Sequence, residues 1–136
     1  MKEILVDSNV ILDIVTEDPN WFDWSAEKLA EYVELTQLNI NPIIYAEVSI
    51  GFEKIEELEA VLPINVFQRL DLPWEAAFLE GKSFVQYRKK GGTKRSALLD
   101  FYIGAHAVVT NMMLLTRDVN CYRTYFPTLE LIVPES

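Results

Sequence analysis

Short apolar runs alternate with segments of helical periodicity along the whole sequence, and this alternation limits the possible folds more than any other feature. The runs with strand character cover residues 4–6, 38–40, 64–67, 113–116 and 129–133. Between them, apolar residues recur at the three- and four-residue spacing of amphipathic helices. Strands separated by helices pair in parallel, and the helices cover the sheet. We therefore predict an α/β fold with a central parallel sheet of about four to five strands and helices on both faces, in a single domain comprising residues 1–136.

One predicted helix begins at a recognisable capping residue, and the others are indicated by their periodicity. Asn41-Pro42 is a start signal, because asparagine accepts free amide hydrogens and proline suits the first helical position. Helices are expected from residue 10, over 25–36, from 42, over 53–62, 73–89 and 97–110, and in a short segment ending near 127. We expect Ile55, Phe78 and Val85 to face the core. The last long helix is apolar on nearly every side, which predicts that it is largely buried.

Acidic residues outnumber basic ones, but the basic residues are concentrated in one segment. The net charge of −9, from 12 basic and 21 acidic residues, argues against a protein that coats nucleic acid through overall positive charge. Five of the twelve basic residues lie within eight positions around Gly91-Gly92. They are Arg88, Lys89, Lys90, Lys94 and Arg95. Such a run is either a solvated loop or a surface that contacts phosphates, and both interpretations stay open here.

The single cysteine and the hydropathy of the sequence indicate the cellular compartment. Cys121 is the only cysteine, which excludes an intramolecular disulfide and a cysteine-rich zinc site. The opening apolar run stops at Asp7, too early for a secretory signal, and no stretch approaches the length of a membrane span. We expect a cytoplasmic protein that does not associate with membranes.

Four carboxylates stand where a parallel sheet would bring them to one edge. Asp7 and Asp118 each follow an apolar strand, so both are expected at the carboxyl end of the sheet. Glu47 and Asp100 interrupt apolar helical segments, and a buried carboxylate is costly unless a cation or a proton neutralises it. Helix capping alone would explain Asp7 or Asp118, but it explains Glu47 and Asp100 less well.

Carboxylates grouped in this way repel one another unless divalent cations neutralise them. An oxygen-only site suits Mg²⁺ or Mn²⁺ and does not suit zinc. Such cations, often a pair about 4 Å apart, activate a water, orient a phosphate and stabilise the leaving oxygen. The four acids therefore predict metal-dependent hydrolysis of a phosphodiester.

Four motifs in order resemble those of the PIN domain family, and in particular of VapC-type toxins. They are Val6 to Asp13 (VDSNVILD), Ala46-Glu47, Leu99 to Ala107 (LDFYIGAHA) and Leu115 to Asp118 (LTRD), followed by the ending Tyr125-Phe126-Pro127. The resemblance covers nearly the whole chain. It implies that the four carboxylates are the catalytic residues and the metal ligands, with Asn9 and Thr116 as supporting residues.

The resemblance also implies the substrate and the partners. A VapC-type toxin is an endoribonuclease that depends on Mg²⁺ or Mn²⁺, forms a homodimer and is blocked by a cognate antitoxin. The basic residues at 88–95 are then candidate RNA-binding residues.

Several other polar and aromatic residues are interpreted as structural. We place Asp13 on a helix surface or in a structural role outside the catalytic set. Arg117 either contacts a phosphate or pairs with a nearby acid. His106 and Cys121 are expected to pack in the core, and the aromatic residues at 21, 22 and 24 either cover the core or form a partner surface.

Two other classes of protein compete with the nuclease. A phosphoacceptor signalling domain is also a doubly wound α/β protein, but it needs an acid after a middle strand and a lysine after a late one. The predicted strand at residues 64–67 is followed by Gln68 and not by an acid. Arg117 is the only basic residue near the late strand. A catalytically silent interaction module would use the acids only to bind a metal or a basic partner.

Overall fold

The computed structural model describes residues 1–94 and 97–135, which form five strands and seven helices. The strands are β1 (Ile4–Val6), β2 (Leu38–Ile40), β3 (Phe67–Arg69), β4 (Met113–Leu115) and β5 (Leu131–Ile132). The helices are α1 (Ser8–Val15), α2 (Phe22–Val33), α3 (Pro42–Ser49), α4 (Ile55–Val61), α5 (Trp74–Lys89), α6 (Ala97–Val109) and α7 (Val119–Tyr125). All strand pairs are parallel, in the order β3-β2-β1-β4-β5. The predicted α/β fold with a parallel sheet is confirmed.

The direction in which the chain crosses the sheet reverses after β3. The chain moves outward from β1 to β3 and then returns to place β4 on the free side of β1, with Val6 paired to Leu115. Because crossovers between parallel strands are right-handed, α1 to α4 cover one face and α5 to α7 the other. In such sheets, ligands bind at the carboxyl ends of the strands where the order reverses. Here that position is the end of β1 and β4.

Strands of only three residues persist because helices bury them. Every side chain of β1 and β2 is buried, and each buried aliphatic side chain stabilises the fold by about 1.5–3 kcal/mol. The predicted start of α3 is observed, since the Asn41 carboxamide oxygen accepts the amide hydrogen of Ile44 at 2.9 Å and Pro42 is the first helical residue. No helix within residues 1–94 and 97–135 combines the length and apolar composition needed to cross a bilayer.

Two predicted boundaries are wrong by a few residues. The third strand begins at Phe67 instead of residue 64, because Pro63 starts a turn in which its carbonyl accepts the amides of Val66 and Phe67 at 3.0 and 2.9 Å. The second helix spans Phe22–Val33 instead of 25–36. It starts early because the Asp18 carboxylate accepts the amides of Asn20 and Trp21 and turns the chain into the helix.

Three residues expected to face the core are exposed. Phe78 and Val85 of α5 are 70% and 49% exposed, and Ile55 at the start of α4 is 63% exposed. The buried side chains of α5 are the small ones of Ala76 and Ser83. The large side chains of α5 that pack against the core are those of Leu79, Phe84 and Tyr87, and the last two rings lie beside Phe101 on α6. The prediction that α6 is largely buried holds from Phe101 to Val108, whereas Leu98, Leu99 and Val109 are exposed.

Gly104 generates a prediction about the packing of α6 against α7. A Cβ at this position would lie 2.7 Å from the Phe126 ring and 3.0 Å from the Tyr122 ring. We expect Gly104→Ala to lower the free energy of unfolding by about 1–3 kcal/mol, because both buried rings would have to move. Urea unfolding followed by circular dichroism measures the change.

Gly81→Ala is the matched control. Gly81 lies at an exposed position of α5, and a Cβ there would meet nothing within 4 Å. This substitution should stabilise the chain by up to about 1 kcal/mol through helix propensity. Unfolding curves that rank the two variants equally would contradict the close approach at Gly104.

Candidate active site

Asp7 lies at the junction of β1, β4, α1 and α7, where its carboxylate accepts hydrogen bonds from all sides. It is the N-cap of α1, and its Oδ1 accepts the amide hydrogen of Ser8 at 2.8 Å. Its Oδ2 accepts the hydroxyl hydrogens of Thr116 at 2.8 Å and Tyr122 at 3.0 Å. The side chain is buried. The structure thus places Asp7 at the sheet edge, where the sequence predicted it.

Burial determines the protonation of Asp7. Loss of solvation raises the pKa of the Asp7 carboxyl from 3.8 to about 6, although hydrogen bonds from Thr116 and Tyr122 act in the opposite direction. The negative charge of Glu47 raises the pKa further. Burial together with the neighbouring carboxylates also holds the pKa of Tyr122 well above 10, so its hydroxyl keeps the hydrogen that it donates.

Ser8 links the first two carboxylates. Its hydroxyl donates to Glu47 Oε1 at 2.8 Å and lies 3.4 Å from Asp7 Oδ1. Glu47 is half-buried on α3, which packs against α1. The sequence analysis missed Ser8, although its place directly after Asp7 at the end of a strand was a usable signal.

Asp100 completes the group from the other face of the sheet. It is half-buried in the first turn of α6. Its pKa is raised to about 6, first by loss of solvation and then by the negative charges of Asp7, Glu47 and Asp118. The four predicted carboxylates therefore lie within electrostatic reach of one another at a single edge of the sheet.

Thr116 organises the residues around Asp118. While its hydroxyl donates to Asp7, its oxygen accepts the amide hydrogen of Asp118 at 3.0 Å and the Asn9 side-chain amide at 3.2 Å. Asp118 itself is exposed and is the N-cap of α7. Asp7 and Asp118 both cap helices, as capping alone predicted, and both also face the other acids. Asn9 and Thr116 stand beside the carboxylates in supporting positions.

Arg117 pairs with Asp13 instead of facing the carboxylate group. Its guanidinium donates to both carboxylate oxygens of Asp13, at 2.7 and 2.9 Å, and its Cζ lies 5.1 Å from the centre of the Trp21 ring. Asp13 is only 2% exposed and also accepts the Ser25 hydroxyl at 2.6 Å. The structural role expected for Asp13 is observed, and its placement on the helix surface is wrong. This pair joins α1 and α2 to the loop that carries Asp118.

The described basic residues lie at the end of α5, where the Tyr87 ring is 5.4 Å from the ring of Phe101, the residue after Asp100. Arg88, Lys89, Lys90 and Lys94 are exposed, and the Lys90 ammonium lies 5.2 Å from the centre of the Tyr125 ring on α7. α5 packs against both α6 and α7, which carry Asp100 and Asp118 at their starts. Arg95, the fifth predicted RNA-binding residue, lies outside the described residues. Within the described ranges, no lysine or arginine forms a salt bridge with the four carboxylates.

Neither of the other reactive side chains has a catalytic environment. His106 is buried, with its Nδ1 3.0 Å from the Asn41 amide nitrogen, and burial lowers its pKa. Burial raises the pKa of the Cys121 thiol to about 12, which keeps it protonated and unreactive. Both residues have the structural roles that the sequence predicted. Of the aromatic segment, Trp24 packs against the core.

A model of the PIN domain family matches residues 4–127, more than nine-tenths of the sequence. The chain belongs to the PIN domain family. The resemblance seen in the motifs is thereby confirmed. None of the curated proteins is significantly similar to the chain.

Solved structures with similar folds include several VapBC complexes. VapBC2 from Rickettsia felis bound to a promoter DNA fragment has a TM-score of 0.75 at 19% identity, over 98% of this chain and 99% of that one. VapBC-1 from nontypeable Haemophilus influenzae has a TM-score of 0.73 at 21% identity, over 96% and 97%. A toxin–antitoxin complex from Klebsiella pneumoniae has a TM-score of 0.69 at 19% identity, over 95% of each chain. At these identities the likeness shows the fold.

The donor set of this PIN domain fits a hydrated divalent cation. Within residues 1–94 and 97–135, no three acidic, histidine or cysteine side chains are close enough to enclose an ion by themselves. Mg²⁺ commonly takes one or two carboxylates directly and keeps several waters, so wider spacing suits it. The pKa values of Asp7 and Asp100 are raised first by loss of solvation and then by the neighbouring acids, and a bound cation would favour the ionised form of both carboxyls.

The pKa of Asp100 predicts how the stability of the metal-free PIN domain depends on pH. Its folded pKa of about 6 exceeds the ordinary value of 3.8, so the folded chain binds the proton more tightly. This stabilisation is complete below pH 3.8 and is lost as the pH rises through about 6. We expect Asp100→Asn, which cannot titrate, to be more stable than the wild type at pH 8 in EDTA by about 1–3 kcal/mol. Thermal melts of both proteins across pH 4–8 measure this difference in stability.

Glu53→Gln is the control for the change in net charge. Glu53 is exposed, and this substitution alters the net charge by the same amount as Asp100→Asn. Its melting curve should follow that of the wild type at every pH. An Asp100→Asn profile parallel to that of the wild type would show that ionisation of Asp100 does not destabilise the folded chain.

Proposed function

We propose that this PIN domain is a metal-dependent endoribonuclease that acts as the toxin of a type II toxin–antitoxin pair. The proposal depends on the grouping of Asp7, Glu47, Asp100 and Asp118 at the carboxyl edge of the sheet. There the Ser8 hydroxyl lies between Asp7 and Glu47, the Thr116 hydroxyl connects Asp7 to the Asp118 amide, and the charges of the other three acids raise the pKa of Asp100. Helix capping accounts for Asp7 and Asp118 but gives no reason for Glu47 and Asp100 to stand beside them, since the charges repel one another. Metal-dependent hydrolysis of phosphodiesters does give a reason, because it uses divalent cations held by oxygen ligands.

The four carboxylates would hold Mg²⁺ or Mn²⁺. When bound, the cations supply an activated water and neutralise charge on the phosphate, which leads to a 5′-phosphate and a 3′-hydroxyl. Asp7 is held in one orientation by Thr116, Tyr122 and Ser8. The Ser8 hydroxyl orients Glu47 from the same side. Asp100 and Asp118, with fewer hydrogen bonds, complete the ligand set from α6 and α7.

The exposed basic residues at the end of α5 would hold the RNA. Phosphate contacts from lysine and arginine provide most sequence-independent affinity for nucleic acids. The end of α5 contacts the start of α6 through Tyr87 and Phe101, next to Asp100, so RNA bound there would reach the carboxylates. This placement favours the RNA-binding interpretation of the basic run over that of a solvated loop.

Protein partners follow from the structural neighbours. The similar structures are VapBC complexes, and one is described as a toxin–antitoxin complex, which supports a cognate antitoxin for this chain. We also propose a homodimer. Exposed large apolar side chains such as Trp74 and Phe78 on α5 support contacts with other proteins.

Metal removal and acid substitution test the nuclease directly. We expect EDTA to abolish cleavage of total RNA and added Mn²⁺ to restore it. Asp7→Asn and Asp118→Asn should each reduce the cleavage rate by at least about 100-fold while the circular dichroism spectrum stays unchanged, because each removes a metal ligand. Gel analysis of RNA digestion measures the rate.

Asp71→Asn is the matched control. Asp71 is an exposed acid that follows β3 and has no part in the carboxylate group, so its loss should leave cleavage unchanged. Full cleavage by Asp7→Asn would overturn the assignment. A wild-type chain that binds Mn²⁺ but leaves all RNA intact would identify the catalytically silent interaction module. The family assignment already argues against the phosphoacceptor domain.

Salt dependence tests the role of the basic residues. The double variant Lys89→Ala, Lys90→Ala should weaken binding of a non-cleavable RNA and lower the slope of log affinity against log salt by about 1–2, because fewer counterions are released. Lys54→Ala, at an exposed position before α4, should change neither quantity. Fluorescence anisotropy in Ca²⁺ or EDTA measures both. Equal slopes in all three proteins would contradict the proposed surface.

A further inference from the structure

Tyr122 has a buried hydroxyl that core packing does not explain. Its side chain is 1% exposed, yet its hydroxyl donates to Asp7 Oδ2 at 3.0 Å. Phenylalanine would fill the same space without a buried polar group that needs a partner. We propose that Tyr122 is a positioning residue of the metal site, whose hydroxyl fixes the orientation of the Asp7 carboxylate. This inference rests on the proposed metal-dependent function.

The hydrogen bonds to Asp7 leave one of its oxygens available. Each carboxylate oxygen has about two acceptor positions. Both positions of Oδ2 are taken by short bonds, from the hydroxyls of Thr116 at 2.8 Å and Tyr122 at 3.0 Å. Oδ1 accepts one short bond, from the Ser8 amide, while the Ser8 hydroxyl is 3.4 Å away and closer to Glu47. Asp7 therefore presents Oδ1, on the side of Glu47, as its free ligand atom.

Thr116 alone would hold Oδ2 less firmly. Its hydroxyl oxygen also accepts hydrogens from Asn9 and from the Asp118 amide, so its position depends on the loop after β4. Without Tyr122, the contacts of Oδ2 would be the Thr116 hydroxyl and the Asn9 side-chain amide, whose distance of 3.5 Å is long for a hydrogen bond. The carboxylate would then gain freedom to rotate about its χ2 torsion, and Oδ1 would be held less firmly toward Glu47. Tyr122 supplies the second anchor.

The Tyr122 ring is itself held in place. It lies beside the Phe126 ring, with centroids 6.5 Å apart, and against α6 at Gly104, where there is no room for a Cβ. Tyr122 also stands four residues after Asp118 on the same helix. The hydroxyl thus fixes Asp7 relative to the helix that carries another of the four acids.

Tyr122→Phe isolates the hydroxyl, because it keeps the ring and its packing. We expect the affinity for Mn²⁺, measured by isothermal titration calorimetry, to fall about 10- to 100-fold, the range typical of groups that orient metal ligands. Tyr102→Phe is the matched control, since the Tyr102 hydroxyl also donates one hydrogen bond, to the Pro73 carbonyl at 2.9 Å, away from the acids. It should bind Mn²⁺ as the wild type does. Thermal melts in EDTA verify that both variants fold.

The outcomes separate this inference from the proposed function. Wild-type affinity in Tyr122→Phe would overturn the positioning role while leaving the nuclease intact. An equal loss in Tyr102→Phe would attribute the effect to general destabilisation and would also overturn it. A wild-type chain that neither binds Mn²⁺ nor cleaves RNA would overturn the proposed function, and the inference with it.

Discussion

The buried carboxylate of Asp7 joins the two halves of the structure. Its oxygens accept hydrogen bonds from residues that follow β1, from the loop after β4 and from α7. A buried charge without such donors would cost several kcal/mol, so the end of β1, Thr116 and Tyr122 have to come together for the chain to fold with Asp7 ionised. The reversal of strand order at β1 and β4 brings these donors to one point. The site is therefore a consequence of the topology of the sheet.

The alternation of strands and helices could be predicted because each element shows its own period in the sequence. Asp7 and Asp118 could be placed because each directly follows a strand, and parallel strands end at the same edge. Asp100 and Glu47 stood out as charges within apolar segments, where burial without a partner is costly. Local pattern and general electrostatics were sufficient for all four acids.

What could not be predicted depends on contacts between distant segments. Phe78 and Val85 face outward because Phe84 and Tyr87 form the face of α5 that packs on α6, and the sequence does not show which apolar residues of this helix form that face. The hydrogen bond from Tyr122 to Asp7 has no signal in the sequence, because it joins residues 115 positions apart. The later start of β3 reflects a turn at Pro63 that competes with the apolar run after it.

The salt bridge between Arg117 and Asp13 affects the order in which the proposed nuclease would bind its metal ion and its RNA. Arg117 directly precedes Asp118, yet its guanidinium forms a salt bridge with Asp13, which lies outside the acidic group. In the described part of the chain, no arginine or lysine pairs with that group, so its negative charge would repel a phosphate that approaches before a cation is bound. In the proposed nuclease we therefore expect the ion to bind first and the nucleic acid second. The proposed enzyme would then stay idle when free magnesium is scarce, however abundant its RNA substrates are.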